Sequence, residues 1–209
     1  MDHTTTPSSP FANQTLETIN RRHSTRVFAD QPISEADLLT ILQAANRAPS
    51  AHNQQSWRFI VIRGEKKHQL VQLVSARAGD FPRASRALLR MASRSIASAP
   101  VVIAVANTGE LIAHGIDLFK VDKTIAHDFF RTMEIQSSAA AVQNLLLAAT
   151  ALGLSSVWLG ILFLIKDDIL QFLGEPAGEF MAVIPIGHAA TAGKSPKKRP
   201  LEMIVKTLD

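Results

Sequence analysis

The alternation of apolar and polar positions predicts a helix and then a strand in the first third of the chain. Ser34 and Asp37 have the spacing of a capping box, in which a hydroxyl and an acidic side chain satisfy the first free N–H groups of a helix. Apolar residues then recur at helical intervals until Pro49, which disfavours helical geometry in the residue before it. The β-branched run at 57–62 predicts a strand after this helix.

The same patterns predict the elements of the remaining chain. Pro82 opens a helical pattern over 82–94, and the apolar run at 100–106 predicts a buried strand. The longest helix is predicted over about 128–152, where a wide apolar face runs up to Gly153, a residue suited to ending a helix. The other predicted elements are a helix around 70–74, a strand that enters a turn over 155–161, a helix from about 167 to 174, a strand over 180–187 and a final edge strand over 201–206.

This interleaving of helices and strands predicts an α/β or α+β fold in which helices cover one sheet. Residues 107–127 have a mixed pattern, which we interpret as a loop leading into short helical pieces. Residues 1–12 are polar and predict a mobile N-terminal tail. No linker or repeat divides the remainder, so residues 13–209 are expected to form a single domain.

Composition excludes several classes of site. The chain has 209 residues, of which 46% are hydrophobic and 19% charged, as in a globular protein. Because it has no cysteine, disulfides, thiolate zinc sites, iron–sulfur clusters and cysteine nucleophiles are excluded. The N-terminus lacks the pattern of a signal peptide and no apolar run is long enough to span a bilayer, so we expect a cytoplasmic protein. The net charge of +4 suits an anionic ligand better than a dedicated DNA-binding domain.

The common catalytic motifs are absent from the sequence. It contains neither the glycine-rich dinucleotide fingerprint nor the phosphate-binding loop of P-loop proteins, and it lacks a nucleophile elbow. The seven histidines never fall into a metal-ligand spacing, and no pattern supports a Ser–His–Asp triad.

Three polar clusters remain, and each alone is typical of a solvated surface. The first contains Arg22, His23, Ser24 and Arg26. The second is the segment APSAHNQQSW at 48–57, whose amides and hydroxyls can hydrogen-bond a flat heterocycle. The third is the basic run of Lys197, Lys198 and Arg199, and arginine and lysine both hold phosphate well. Together the clusters indicate a phosphorylated ligand that carries a polar ring.

Four arginines form a stripe on the predicted helix over 82–94, because their spacings of three and four residues place them on one face. They are Arg83, Arg86, Arg90 and Arg94. Such a stripe is either a solvated helix face or a surface for nucleic-acid phosphates. No aromatic residues interleave with it, which weakens an interpretation as a single-strand-binding surface.

Four stretches in order resemble the nitroreductase family of FMN-dependent oxidoreductases. They are RRHSTRVF, APSAHNQQSWRFIVI, AAAVQNLLLAATALGLSSVWLG and IPIGHAA with the following KKRPLEMIV. The resemblance extends from about residue 16 to 206. Ser56 stands where the family motif has proline, no glutamate is present near Gly160, and the lysine that often lies near the flavin in mid-chain has no clear counterpart.

The resemblance implies bound FMN and a set of residues that hold it. The phosphate would be bound by Arg22, Ser24 and Arg199, with help from Lys197. Arg26 would approach N1 and O2 of the ring. The turn Leu159–Gly160–Ile161 would place a backbone N–H near N5. Pro49, Ser50 and Asn53 would line the ribityl chain and ring, in many members from the other subunit. His23 and Gln55 complete the set of expected cofactor-binding residues. No side chain is assigned a catalytic role, because the chemistry belongs to the flavin.

The resemblance also implies an activity and a fold. The activity is NAD(P)H-dependent reduction of nitroaromatics and quinones by ping-pong hydride transfer through flavin N5. The fold is α+β, with a central mixed, mainly antiparallel sheet between helical layers, in a homodimer that has FMN at its interface and exchanges the C-terminal strand. Two alternatives stay open: a specialised member that consumes flavin, dehalogenates or dehydrogenates one substrate, and a nucleic-acid-binding module that uses the arginine stripe.

Overall fold

The computed structural model describes residues 13–118, 122–193 and 195–208. The tail predicted over residues 1–12 lies outside this part of the chain. The described residues form seven α-helices: α1 (Gln14–Arg21), α2 (Glu35–Asn46), α3 (Gly64–Ala78), α4 (Arg83–Ser98), α5 (Glu110–Leu118), α6 (Lys123–Ala151) and α7 (Lys166–Leu173). They also form four strands: β1 (Trp57–Ile62), β2 (Val101–Asn107), β3 (Ser155–Ser156) and β4 (Glu179–Gly187).

The four strands form one sheet in the order β1-β2-β4-β3, and each neighbouring pair is antiparallel. Trp57 lies opposite Asn107 at one end of the sheet, and Val101 lies opposite Ile186 at the other. A single parallel bridge joins Ser24 to Ser156. The predicted mixed, mainly antiparallel sheet is therefore confirmed.

The central strands β2 and β4 are buried on both faces of the sheet. Because successive side chains of a strand point to opposite faces, Val102, Ala104 and Ala106 pack into the core under α3, α4 and α7. Ile103 and Val105 pack into a second core under α2 and α6. The sheet thus lies between two helical layers, which confirms the predicted α+β fold.

Several helix boundaries follow from capping groups that the sequence shows. The Ser34 hydroxyl accepts the Asp37 N–H over 3.0 Å and donates to the Asp37 carboxylate over 2.7 Å, which fixes the start of α2. Gly153, just beyond α6, has a φ of 75°, in the left-handed region that favours glycine. The predicted capping box and helix end are both confirmed.

Other boundaries differ from prediction because short capping groups are hard to weigh in sequence. α6 begins at Lys123 rather than near 128, because the Asp122 carboxylate accepts the N–H groups of Thr124 and Ile125. Within the segment expected to hold a loop and short helical pieces, α5 already begins at Glu110, and α4 extends to Ser98. α1, which sequence analysis missed, begins where the Asn13 side chain accepts the Leu16 N–H over 2.9 Å.

Two predicted strands are shortened or not formed in the single chain. The strand predicted over 155–161 is confined to β3, because Gly160–Ile165 turns into a 3-10 helix. The strand predicted over 201–206 is wrong for the chain alone: Leu201–Met203 form a 3-10 turn, and the whole segment is exposed. A strand needs a neighbour to pair with its backbone, and this segment finds none among the described residues of its own chain.

The contact between α5 and α6 gives the first testable prediction, Gly115→Ala. A Cβ atom at Gly115 would lie 2.3 Å from ring carbons of Phe130 on α6. Alanine is favoured over glycine inside a helix by up to about 1 kcal/mol, whereas overpacking costs about 1–3 kcal/mol. We expect a net loss of about 1 kcal/mol in the free energy of unfolding, measured with urea.

Ala113→Ser is the matched control, since Ala113 is exposed on the same helix. Surface changes of this kind stay within about 0.5 kcal/mol. A gain in stability for Gly115→Ala would contradict the close approach of α5 to the Phe130 ring.

Candidate functional site

The first polar cluster lies along the outer edge of β3. Ser24 pairs with Ser156 in a parallel bridge, and the Thr25 N–H donates to the Ser156 carbonyl oxygen over 3.0 Å. Farther along, the Ala29 N–H donates to the His188 carbonyl oxygen over 2.9 Å. The backbone of this segment is therefore held by the sheet, which leaves its polar side chains available at the surface.

The two arginines of this segment have no side-chain partner among the described residues. Arg26 is exposed and Arg22 is half-buried. Some other arginines at the surface are paired; Arg21, for example, lies 3.8 Å from Glu17, and Arg58 lies 3.2 Å from Glu175. The guanidinium groups of Arg22 and Arg26 thus keep their donors free for an anionic ligand.

His23 brings the first cluster to the start of the basic loop. A Cβ atom at Gly193 would lie 2.3 Å from Nε2 of His23, so the two residues are in close contact. Nδ1 of His23 lies 3.1 Å from the Arg21 carbonyl oxygen, while Nε2 is buried and has no hydrogen-bond partner among the described residues. The loop that carries Lys197 and Arg199, both exposed, therefore begins beside the first cluster.

The turn Leu159–Gly160–Ile161 follows β3 directly and so lies at the same edge. The Leu159 N–H donates to the Val183 carbonyl oxygen over 3.0 Å, and its side chain is buried. Gly160 is exposed and begins the 3-10 helix. The structure therefore brings the first cluster, this turn and the start of the basic loop into one neighbourhood.

The second polar cluster lies at the opposite end of the sheet. Residues 49–56 precede β1, whose first residue Trp57 lies opposite Asn107 at the far end of β2. Ser156 pairs with Ile186, and Ile186 pairs with Val101 at the near end of β2. The six residue steps along β2 span about 20 Å. One chain therefore does not bring Pro49, Ser50, Asn53 and Gln55 to the residues of the first cluster.

The backbone of residues 49–56, hereafter the amide loop, is strained. His52, Asn53 and Gln55 have φ values of 54°, 52° and 54°, in the left-handed region that residues other than glycine seldom adopt. The Ser50 hydroxyl accepts the Gln55 N–H over 3.1 Å, and Ala51 donates its N–H to the Ser137 hydroxyl over 3.1 Å. Strain that the surrounding structure maintains is common in binding sites, so the amide loop is a candidate for ligand contact.

A buried polar cluster beside the amide loop was missed in the sequence. The Glu134 side chain, 1% exposed, accepts the Leu111 N–H over 2.9 Å at the start of α5. The hydroxyl of Ser138, one helical turn farther, donates to the Asn107 side-chain oxygen over 2.5 Å. Glu134 lies on the buried face of α6, whose other residues are apolar or small. A charged residue at a buried position of the helical repeat is the sequence signal that could have identified Glu134.

The environment of Glu134 changes its ionisation. Burial raises the pKa of its carboxyl above the ordinary glutamate value, while the hydrogen bond from the Leu111 N–H acts in the opposite direction. The raised pKa shows that burial is the larger effect. Glu134 thus places an ionisable group inside the fold, where it contacts the start of α5.

A cavity of about 400 Å³ opens beside Glu134, at the same end of the sheet. An Arg131–Glu179 ion pair and the rings of Phe163 and Phe180 line it. Its charged side chains are largely paired with one another, since Lys166 also lies 2.6 Å from Asp167. None of the sequence-predicted cofactor residues lines this cavity.

Metal and membrane sites find no support in the part of the chain that the structure describes. Histidine, aspartate and glutamate side chains do not gather there in any group that could hold a metal ion. The described helices include none that is long and apolar enough to cross a bilayer.

Comparisons with known proteins support the resemblance. The sequence model of the nitroreductase family matches residues 19–188. A protein of Archaeoglobus fulgidus named NADH dehydrogenase/NAD(P)H nitroreductase is 32% identical over 146 residues, which cover 70% of this chain and 67% of that protein. The NADH dehydrogenase of Thermus thermophilus is 28% identical over 204 residues, which cover 88% of this chain and 91% of its own. The structure of a nitroreductase from Desulfovibrio desulfuricans in complex with FMN matches with a TM-score of 0.71 at 29% identity, covering 94% of this chain and 98% of that one.

The raised pKa of Glu134 yields a prediction for Glu134→Gln. Because the folded chain binds this proton more tightly than the unfolded chain, the contribution of Glu134 to stability falls as pH rises from the ordinary glutamate pKa through the raised value. Glutamine keeps the shape and does not ionise. We therefore expect the free energy of unfolding of Glu134→Gln, relative to the native chain, to increase over that pH range.

Urea unfolding at several pH values between about 4 and about 8 measures this difference. Glu110→Gln removes a charge at an exposed position of α5 and serves as the control. A difference between Glu134→Gln and the native chain that stays constant across the range would contradict the effect of burial on Glu134.

Proposed function

The chain belongs to the nitroreductase family, and from this premise we propose that it is an FMN-dependent oxidoreductase that uses NAD(P)H to reduce nitroaromatics and quinones. FMN, when bound, supplies the chemistry: ping-pong hydride transfer through its N5. The observation that carries the proposal is the set of unpaired cationic groups gathered at the β3 edge, beside the turn that follows the strand. The protein's own residues bind and orient the cofactor and set the charge around it.

We assign the FMN phosphate to Arg22, Ser24 and Arg199, with Lys197 as a helper. The free guanidinium of Arg22 supports this assignment, and so does the contact of His23 with Gly193, which leads into the basic loop. Arginine binds phosphate in bidentate fashion and lysine as a point charge.

We assign the flavin ring to Arg26 and to the turn Leu159–Gly160–Ile161. Arg26 is exposed and free of ion pairs within the described residues, so its charge can face the pyrimidine side at N1 and O2. A fixed cation there stabilises negative charge on the reduced ring. Gly160 has no side chain to block close approach of the ring to the backbone.

The active unit that we propose is a homodimer. The amide loop lies about 20 Å from the first cluster within one chain, so a second subunit is needed if Pro49, Ser50, Asn53 and Gln55 are to contact the same flavin. The exposed apolar residues of the C-terminal segment, among them Leu201, Met203, Ile204 and Val205, suit exchange onto a partner. The long helix α6 is the proposed centre of the interface.

The alternative functions differ in the support that they receive. A specialised member of the family would turn over generic acceptors slowly, so steady-state rates with a quinone and with a nitroaromatic separate it from the proposal.

The nucleic-acid alternative needs the arginine stripe to be free for phosphates. Arg86 is not free, because its guanidinium donates to the carbonyl oxygens of Phe81 and Gly79. Arg86 therefore stabilises the fold at the end of α3.

The phosphate assignment predicts that Arg22→Glu/Arg199→Glu fails to retain FMN. Each charge-assisted hydrogen bond contributes about 1.5–3 kcal/mol, so loss of two should weaken binding at least about a hundredfold. The measurements are the flavin absorbance of the purified protein and the FMN dissociation constant from fluorescence. Arg21→Ala is the control, since Arg21 is exposed and pairs with Glu17. A double variant that keeps its flavin would contradict the assignment.

The two-subunit site predicts complementation between two defective chains. One chain carries Arg22→Glu/Arg199→Glu, and the other carries Asn53→Asp, which removes amide donors while tolerating a positive φ. A mixed dimer, isolated through two affinity tags, then has one site with every defect and one with none. We expect each homodimer to bind FMN weakly and the mixed dimer to bind one FMN at native affinity. A mixed dimer no better than its parents would show that the amide loop serves its own subunit's flavin or none.

A further inference from the structure

An arginine at the end of α2 has a free side chain beside the amide loop. Arg47 follows Asn46, the last residue of α2, and its side chain is exposed. Within the described residues the guanidinium has no hydrogen bond or ion pair. Arg22 and Arg26, which share this property, do not line the cavity that Arg47 borders, so Arg47 is a separate free cation.

Arg47 borders a polar cavity of about 610 Å³, a volume within the usual range for small-molecule pockets. Ala48 is the one apolar residue in the lining. The six lining residues are Gln43, Asn46, Arg47, Ala48, Asn53 and Gln55. Two of these residues, Asn53 and Gln55, belong to the strained amide loop, so cavity and loop form one surface.

The free polar atoms of this cavity are mainly donors. The side-chain oxygen of Asn46 is occupied, because the Trp57 indole N–H donates to it over 3.0 Å. The side-chain oxygen of Asn53 accepts from the Gln55 amide over 3.2 Å. Each asparagine is therefore left with its NH₂ group as the free end. Together with the Arg47 guanidinium, these groups suit a ligand that is anionic and rich in acceptors, such as a phosphate.

The C-terminal end of α2 disfavours an anion in this cavity, but hydrogen bonds to its carbonyl oxygens weaken that effect. The C-terminal end of a helix carries partial negative charge on its last carbonyl oxygens. Here the Arg47 N–H donates to the Gln43 and Ala44 carbonyl oxygens over 3.1 and 3.2 Å. The Asn144 side chain also donates to Ala44 over 3.2 Å. No acidic residue lines the cavity, so the positive charge of Arg47 dominates it.

We propose that Arg47, with the amide of Asn46, binds a phosphate of the electron donor NAD(P)H. This inference rests on the proposed function. The FMN phosphate is assigned to Arg22, which does not line this cavity. In the proposed dimer the amide loop borders the partner's flavin. The electron donor NAD(P)H is the other phosphorylated molecule that must reach that flavin. A phosphate of the dinucleotide is therefore the ligand that suits this cavity.

Arg47→Ala tests the proposal through steady-state kinetics and FMN binding. Loss of one charge-assisted contact predicts a KM for the donor raised about tenfold to a hundredfold, with kcat and the FMN dissociation constant unchanged. Arg47→Lys keeps a point charge and should lie between the native chain and alanine. Arg58→Ala, an exposed arginine that pairs with Glu175, is the matched control. Circular dichroism and the melting temperature establish that each variant is folded.

Two comparisons identify the source of the phosphate. If the KM rises for NADPH alone, the cavity binds the 2′-phosphate; if it rises equally for NADPH and NADH, the cavity binds the pyrophosphate. Calorimetry of the FMN-loaded protein with 2′,5′-ADP or with inorganic pyrophosphate gives a readout independent of turnover. We expect Arg47→Ala to weaken one of these probes by the same factor as the KM.

Two results would overturn the inference. An unchanged KM for both donors would show that the cavity does not bind the dinucleotide. A higher FMN dissociation constant in Arg47→Ala, with an unchanged KM, would show that Arg47 serves the flavin. Failure of the proposed function looks different, because the native chain itself would then bind no FMN and oxidise no NAD(P)H.

Discussion

Burial of the two central strands on both faces is the constraint on which the rest of the structure depends. β2 and β4 have almost no exposed side chain, so each face of the sheet must be covered by helices and neither face can hold a polar site. Polar chemistry is therefore confined to the ends and the outer edge of the sheet. The first cluster lies on the β3 edge and the amide loop lies at the far end of β1. Their separation is thus a consequence of how the core is built.

The far end of the sheet combines strain with buried polarity. Three residues of the amide loop have left-handed backbone, and each costs about 1–3 kcal/mol when the surrounding structure maintains it. Glu134 adds a carboxylate that burial disfavours in its ionised form. Neither feature improves packing. Both occur where the amide loop, α5 and α6 meet, which is the part of the chain that the proposed dimer places against a flavin.

Sequence patterns predicted the elements that local periodicity determines, and they failed where longer-range contacts decide. α2, β1 and the end of α6 carry clear capping, β-branched or glycine signals, and these were predicted correctly. The bounds of α5 were not predicted, because its start is held by Glu134, a residue more than twenty positions away. The segment over 201–206 has strand-forming residues, but no neighbour in its own chain. The motifs also predicted one shared site without showing that its parts lie at opposite ends of a sheet, because spacing in sequence carries no information on strand order.

The pairing of arginines separates those that serve the fold from those available to ligands. Arg58, Arg63 and Arg131 each form an ion pair across elements, and such pairs fix how helices and strands meet at the surface. Arg22 and Arg47 have free guanidinium groups beside two different pockets. In the proposed assignment these two pockets of one chain take different phosphorylated ligands. Two chains related by a twofold axis would bring the first cluster of one chain to the amide loop of the other, and that arrangement suits a reaction in which a phosphorylated cofactor and a phosphorylated donor must meet.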